Sequence, residues 1–353
     1  MQKVTMSMIA QRAGVSIGTV DRALNDRGRI NDDTKQNILN IAKELKYQPN
    51  KMASALSKKK KLKLAVVMPK SPNYFMDKLR QGVEEAYLEL LDYGTEIEYI
   101  FSDTLDPDEQ EPILRNINPN MYDGIALNAG GESLRPAIDR LVDSGMPVVA
   151  FNTDVSSSKR SFYVGENSYK NGRVAGELMG RMLEKKGEIL VFLGFKDVSS
   201  HKERCKGFVD VVKEMYPEIN ILGIIEHHDN EEEANKKMGE ILESGQIIDG
   251  IFCVSTPGVV GVGKCLREHD QHICLIGYDV NELTSCLLKE GYCSAVMFQD
   301  PQRQGFEAVA LLNKMLNSEW VPKHKKYHTR TQIVLSGNID DYADDAKENG
   351  IIV

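Results

Sequence analysis

Gly258, Gly263 and Lys264 stand at the glycine and lysine spacing of a phosphate-binding loop and follow an apolar run. Cys265 occupies the place of the hydroxyl residue that would hold magnesium, and Val259, Val260 and Val262 read instead as the packed start of a helix. His324 and His328 are four apart and His269 and His272 three apart, but no acidic or thiol partner stands at ligand spacing, so no metal site is expected. His227 and His228 read as surface residues, and no Gly-x-Ser-x-Gly elbow occurs. The residues therefore point to binding rather than turnover, with no cofactor. What remains is a set of polar groups that recur after apolar runs: Asn73-Tyr74-Phe75, Asn128, Asn152-Thr153-Asp154, Ser255-Thr256, Asp279 and Gln299-Asp300. Carboxylates, amides and a stacking ring suit a polyhydroxylated small molecule, because each hydroxyl both donates and accepts.

These groups need a frame that brings strand ends together. Apolar runs alternate with amphipathic stretches: Leu64 to Met68, Ile97 to Phe101, Gly124 to Asn128 and Val148 to Phe151 come first. Glu188 to Leu193, Ile219 to Glu226, Gly250 to Val254, Ile273 to Gly277 and Ser294 to Phe298 follow. Such alternation predicts parallel sheets with helices on both faces, where ligands sit beyond the carboxyl ends of the strands. About eleven strands with a break near Asn152 to Tyr163 call for two sheets. Gly172, Gly176 and Gly180 recur every fourth residue, a pattern expected to bring a helix close to a sheet.

The 353-residue chain has net charge −8, unevenly spread. Residues 1–63 carry fourteen Lys/Arg against five acids, a net +9, which leaves −17 for the remainder. A basic head on an acidic body fits a head that meets a polyanion. No apolar stretch reaches the ~18 residues of a membrane span. All six cysteines lie in apolar runs of the second half, so a soluble cytoplasmic protein is expected. The head reads as helices over Met6 to Arg12, Ile17 to Leu24 and Asp32 to Lys46, with Gly14 at the first turn, Ser16 as a cap and Pro49 as a stop. Asn50 can cap a last short helix, Lys51 to Ser57. Helix, glycine turn, helix is the spacing of a helix-turn-helix.

The stretches Val4-Thr5-Met6-Ser7-Met8-Ile9-Ala10, Ala13-Gly14-Val15-Ser16-Ile17-Gly18-Thr19-Val20, Arg22-Ala23-Leu24-Asn25, Tyr47-Gln48-Pro49-Asn50 and Ala53-x-x-Leu56 closely resemble the head of LacI/GalR-type transcription regulators. The resemblance implies a small all-α helix-turn-helix domain followed by an α/β two-lobed periplasmic-binding-protein-like domain with parallel sheets. The implied boundaries are 1–49 for the head, 50–62 for a hinge helix and basic linker, and 63–353 for the effector-binding body. Lobe 1 would take about 63–163 and 293–323, and lobe 2 about 164–292 and 324–353. It further implies a dimer that binds operator DNA and a sugar-like effector. Ile17, Gly18 and Arg22 would face bases, and Leu56, with Ala53 beside it, would wedge into the minor groove. The chemistry agrees, since Arg22 has the donor fork for guanine and Thr5, Ser16, Thr19 and Asn25 are short phosphate donors. In the body, Arg204 matches the arginine of Arg-x-x-Gly-Phe in sugar-binding relatives. Asn73, Phe75, Asn152, Asp279 and Gln299 match ribose-type binding residues, and Thr153, Asp154 and Ser255 complete the expected set.

Four positions depart from the pattern. Gly18 offers no side chain to a base, while Ser255 and Thr153 stand where asparagine and arginine are typical. Asp21 stands where serine is usual; it could repel phosphates, accept from a cytosine amino group or pair with Arg27. A ligand-responsive repressor is the leading expectation. A cytoplasmic sugar receptor is opposed by the basic head, and a sugar- or nucleotide-processing enzyme by the lack of a nucleophile, metal cluster or intact phosphate loop.

Overall fold

The computed structural model describes residues 6–24, 30–45, 61–70, 74–91, 94–318 and 320–343. Thr5, Asn25, Ala53, Leu56, Asn73 and the expected hinge helix lie outside the described residues. Two units divide the chain, Met1–Lys59 and Lys60–Val353.

In the first unit, α1 (Met6–Ala13), α2 (Ile17–Leu24) and α3 (Asp32–Glu44) pack around Ile9, Val20, Ala23, Ile38 and Ala42. Gly14 turns the chain between α1 and α2 at φ 68°, a conformation glycine adopts without a Cβ penalty. The Thr19 N–H donates to Ser16 Oγ at 3.2 Å, and the Asp33 N–H donates to Asn31 Oδ1 at 2.8 Å, so both helices carry side-chain N-caps.

The second unit contains two six-stranded sheets. The first comprises β1 (Lys63–Pro69), β2 (Glu96–Ser102), β3 (Gly124–Leu127), β4 (Val148–Phe151), β5 (Phe162–Gly165) and β11 (Lys326–His328). Its order is β11-β5-β4-β3-β1-β2, with every neighbour parallel. The second comprises β6 (Lys186–Leu193), β7 (Glu218–Glu226), β8 (Gly250–Cys253), β9 (Cys274–Tyr278), β10 (Ala295–Phe298) and β12 (Gln332–Val334). Its order is β12-β10-β9-β8-β6-β7, and β12 alone runs antiparallel to its neighbour. Leu64, Val66 and Met68 of β1 enter one core and Ala65 and Val67 another, so both faces of the strand are buried.

The helices of the first lobe are α4 (Tyr74–Leu91), α5 (Pro107–Asn116), α6 (Arg135–Asp143) and, from later in the chain, α12 (Pro301–Asn317). Those of the second are α7 (Ser168–Met182), α8 (Ser199–Met215), α9 (Glu231–Glu243), α10 (Thr256–Glu268) and α11 (Glu282–Glu290). The chain first crosses between lobes after β5. The second crossing was expected near Cys293, but β10 pairs with β9, so the chain leaves the second sheet only at Gln299-Asp300. The third was expected near Lys323, but β11 pairs with β5 in the first sheet, which moves the crossing to residues 329–331.

The glycine stripe of α7 meets a helix, not the expected sheet. A Cβ on Gly172 would lie 2.0 Å from the Arg204 carbonyl oxygen, and one on Gly207 of α8 would lie 2.0 Å from that of Tyr169. A Cβ on Gly176 or Gly180 would meet Val211 or Tyr216 at 2.5 Å. The same reciprocal contact joins α4 to α12, where Gly82 approaches the Gln302 carbonyl and Gly305 that of Leu79. Gly172→Ala should therefore force α7 away from α8 and cost about 1–3 kcal/mol by overpacking. A thermal melt should show a loss of several degrees; an unchanged melt would contradict the packing.

Candidate functional site

Two sites emerge, one in each unit. On α2, Val20 and Ala23 are buried while Gly18 and Arg22 are exposed, so one face of the helix is free of the core. Ser16 Oγ and Thr19 Oγ1 share a hydrogen bond of 2.9 Å at its start. The Arg22 guanidinium folds back along the helix, where Nε donates to the Gly18 carbonyl at 3.1 Å. Among the described residues, a Cβ on Gly18 would have Ser16 Oγ near it at 3.9 Å and no closer neighbour that dictates a glycine there. Ile17 and Asp21 also lie on α2.

In the second unit, strand ends from the two lobes converge on a cavity of about 50 Å³. Phe75 and Asn152 come from the first lobe, Arg204, Ser255 and Asp279 from the second, and Gln299 from the second crossing. Asn152 and Asp279 turn the chain directly after β4 and β9 in the left-handed region, at φ 61° and 64°. Such corners are uncommon for residues with a Cβ, and Asn and Asp tolerate them best. Each brings a polar side chain into an apolar interior. Asn152 Nδ2 donates to Asn128 Oδ1 at 3.2 Å, and both residues are buried.

A chain of contacts fixes the second-lobe wall. Arg204 Nε donates to Glu166 Oε1 at 2.5 Å, Nη1 to the Val254 carbonyl at 2.8 Å and Nη2 to Gln299 Oε1 at 2.8 Å. Its guanidinium also stacks 3.9 Å above the Tyr278 ring. Burial opposes the Arg204 charge most strongly, but Glu166, Tyr278 and Asp279 together outweigh it and hold the group protonated above its ordinary range. Gln299 Nε2 in turn donates to Asp279 Oδ2 at 2.9 Å, and Thr256 Oγ1 donates to the same oxygen at 3.1 Å. Asp279 Oδ1 is buried, and among the described residues nothing donates to it. Burial pushes the Asp279 carboxyl up to about 6.

The lobes touch beside this cavity. The Ser199 N–H donates to the Gly130 carbonyl at 3.2 Å, Thr153 and Ser200 share a hydroxyl hydrogen bond of 3.1 Å, and Val198 is buried in the first-lobe core. Thr153 thus serves as an interlobe contact. Asp154 departs from expectation: its carboxylate binds Arg160 and lies 3.1 Å from Lys326 Nζ, outside the cavity. It lines a separate hollow of about 320 Å³ with Glu166, Ser199 and Ser200, and an arginine six residues on pairs with it there. His227, expected at the surface, is fully buried beside Phe192, and burial lowers its pKa.

The sequence reading missed Glu166, His201 and Asp229. Asp229 follows β7, where the strand-end rule would have found it, and its Oδ1 accepts from Ser255 Oγ at 2.6 Å. His201 Nδ1 accepts from the Phe195 N–H at 3.0 Å, and burial lowers its pKa to about 4. The ring is therefore neutral at pH 7, with its proton on Nε2.

Asp279→Asn keeps an oxygen for Gln299 and Thr256 while removing a buried charge. At pH 7 it should stabilise the protein by about 1–3 kcal/mol. The folded carboxyl titrates at about 6 against an ordinary 3.8, so its destabilising effect is absent below pH 3.8 and complete above 6. The stability gap between variant and parent should thus open as pH rises from 4 to 6. Melts across that range check this, and a gap independent of pH would contradict it.

Known proteins share both units. Residues 5–50 match the lacI family of bacterial regulatory proteins, and residues 64–319 match the periplasmic binding protein domain. The chain is 28% identical to the HTH-type transcriptional regulator DegA of Bacillus subtilis over 68% of this chain and 70% of that one. It is 24% identical to the HTH-type transcriptional regulator RegA of Clostridium saccharobutylicum over 88% and 92%. Among solved structures it resembles the glucose-galactose binding protein GanP of Geobacillus stearothermophilus, with a TM-score of 0.73 and 26% identity over 79% of this chain and 99% of that one. A solute binding protein of Burkholderia graminis in complex with D-arabinose gives a TM-score of 0.74 and 25% identity over 80% and 98%. With a lacI-type head at 5–50 and a periplasmic-binding-protein body at 64–319, the chain belongs to the lacI family of bacterial regulatory proteins.

Proposed function

We propose that this regulator is a cytoplasmic repressor that binds a near-palindromic operator as a dimer and responds to a small sugar-like effector between its lobes. The observation that carries the effector reading is the buried, unpaired Asp279 Oδ1 in a cavity shared by both lobes. A buried acceptor without a partner costs free energy that a ligand hydroxyl recovers. Phe75, Asn152, Arg204, Ser255, Asp279 and Gln299 form the binding wall in this reading. Asn73 belongs to the proposed set but lies outside the described residues. The glucose-galactose and D-arabinose binding of the two similar structures supports a sugar.

The cavity of about 50 Å³ is far below the ~300 Å³ and above of ordinary ligand sites. Effector entry then requires the lobes to part at the Thr153–Ser200 and Ser199–Gly130 contacts. A ligand that prefers one lobe angle shifts the population of that angle, and with it DNA affinity. On the head, α2 enters the major groove with Ile17, Gly18 and Arg22 toward the bases, and Ser16 and Thr19 hold phosphates. Thr5 and Asn25 do the same, and Ala53 and Leu56 form the minor-groove wedge.

Titration of full-length protein against operator selected from random duplexes, with and without sugars, tests this reading. Affinity should fall steeply with salt, and a binding sugar should change it. Failure of every duplex to compete over random DNA would overturn it. Arg22→Ala should cost roughly 1–3 kcal/mol and relax preference at one base per half-site. An unchanged selected sequence would remove Arg22 from base readout.

A further inference from the structure

We propose that the second-lobe wall formed by Asp229, Ser255 and Asp279 selects a polyol bearing a protonated amine and turns away anionic sugars. The inference rests on the effector reading above and assigns the charge of the ligand. Two carboxylates lie along this wall, and neutral groups satisfy both. Asp279 Oδ2 accepts from the Gln299 amide and the Thr256 hydroxyl, while Oδ1 is bare and Asp279 is only 3% exposed. Asp229 Oδ1 accepts from Ser255, and its Oδ2 lies 3.7 Å from Nε2 of the neutral His201 ring.

Among the described residues lining the cavity, Arg204 is the one permanent cation, and Glu166 takes its charge at 2.5 Å. It reaches Asp279 only through Gln299. Arg204 is near enough to favour the Asp279 charge without touching it, so among the described residues the wall keeps two carboxylates with no cation in direct contact, and burial makes the Asp279 charge costly until one arrives. Gly194 makes room for this arrangement: a Cβ there would lie 2.2 Å from Asp229 Oδ1 and 2.7 Å from His201 Cε1. A second hollow of about 100 Å³ shares Met76, Leu105 and Asp229 with the cavity and adds Asp103 from the first lobe. Carboxylates thus approach from both lobes. A ligand ammonium would donate to Asp279 Oδ1 and Asp229, whereas a phosphate or carboxylate would meet like charge.

Matched trios test the charge assignment: galactose, galactosamine and galacturonate, and glucose, glucosamine and glucose 6-phosphate. Calorimetry with the full-length protein at pH 7 should rank amine over parent by on the order of tenfold, and the acidic member last. Asp229→Asn should lower the amine-to-parent ratio severalfold, with Asp279 supplying the preference that remains. Asp103→Asn, at an exposed position, should lower it by about two- to threefold and serves if Asp229→Asn does not fold. If the neutral or acidic member binds best, or if Asp229→Asn leaves the ratio intact, the charge assignment falls and the sugar reading stands. If no member of either trio binds, the sugar reading falls and this inference with it.

Discussion

The Arg204 guanidinium is the contact on which the body's cleft depends. It is almost fully buried and joins four separate pieces of chain: Glu166 at the first crossing, Val254 after β8, Tyr278 at the end of β9 and Gln299 at the second crossing. A buried charge is costly unless it is paired and hydrogen-bonded, and Arg204 is both. Its rigid fork allows one side chain to meet partners in several directions at once, which a lysine could not reproduce. The place of Arg204 on α8 is itself fixed by helix packing, since Gly172 lets α7 approach the Arg204 carbonyl oxygen.

That network hands a constraint to Asp279. Because Gln299 is held by Arg204, its amide nitrogen faces Asp279 Oδ2 and leaves Oδ1 bare. The Asp279 backbone is held in the left-handed region, as are Asn152 and Asp300, at φ 64°, 61° and 55°. Strained corners and an unpaired acceptor gathered at the strand ends of one cleft are destabilising features, and such features concentrate where proteins bind ligands. The proposed effector restores the missing hydrogen bond, so ligand affinity and the instability of the empty cleft share one origin.

Much of this was legible in the sequence. Apolar runs such as Leu64 to Met68 and Gly250 to Val254 are long enough to mark strands buried on both faces, and Gly14 with Ser16 marks the turn and cap of the head. Strand β5 was hidden because its four residues follow a loop that reads as a break. Strands β11 and β12 carry Lys326, His328 and Gln332 at sheet edges, so no apolar run announces them. Within the cleft, residues at strand ends were found because topology alone places them. Asp154 was misplaced because its Arg160 partner lies within a loop, and Glu166 was missed because its role depends on Arg204, 38 residues later.

In the proposed complex the effector satisfies the unmet acceptor of Asp279. A donor to Oδ1 favours the charged carboxylate and lowers its pKa from about 6. Calorimetry of a neutral sugar that binds, repeated at pH 6 in buffers of different ionisation enthalpy, counts the protons exchanged. Binding should release about half a proton per site at pH 6, fading toward zero by pH 8. No release at pH 6, or net uptake, would contradict it.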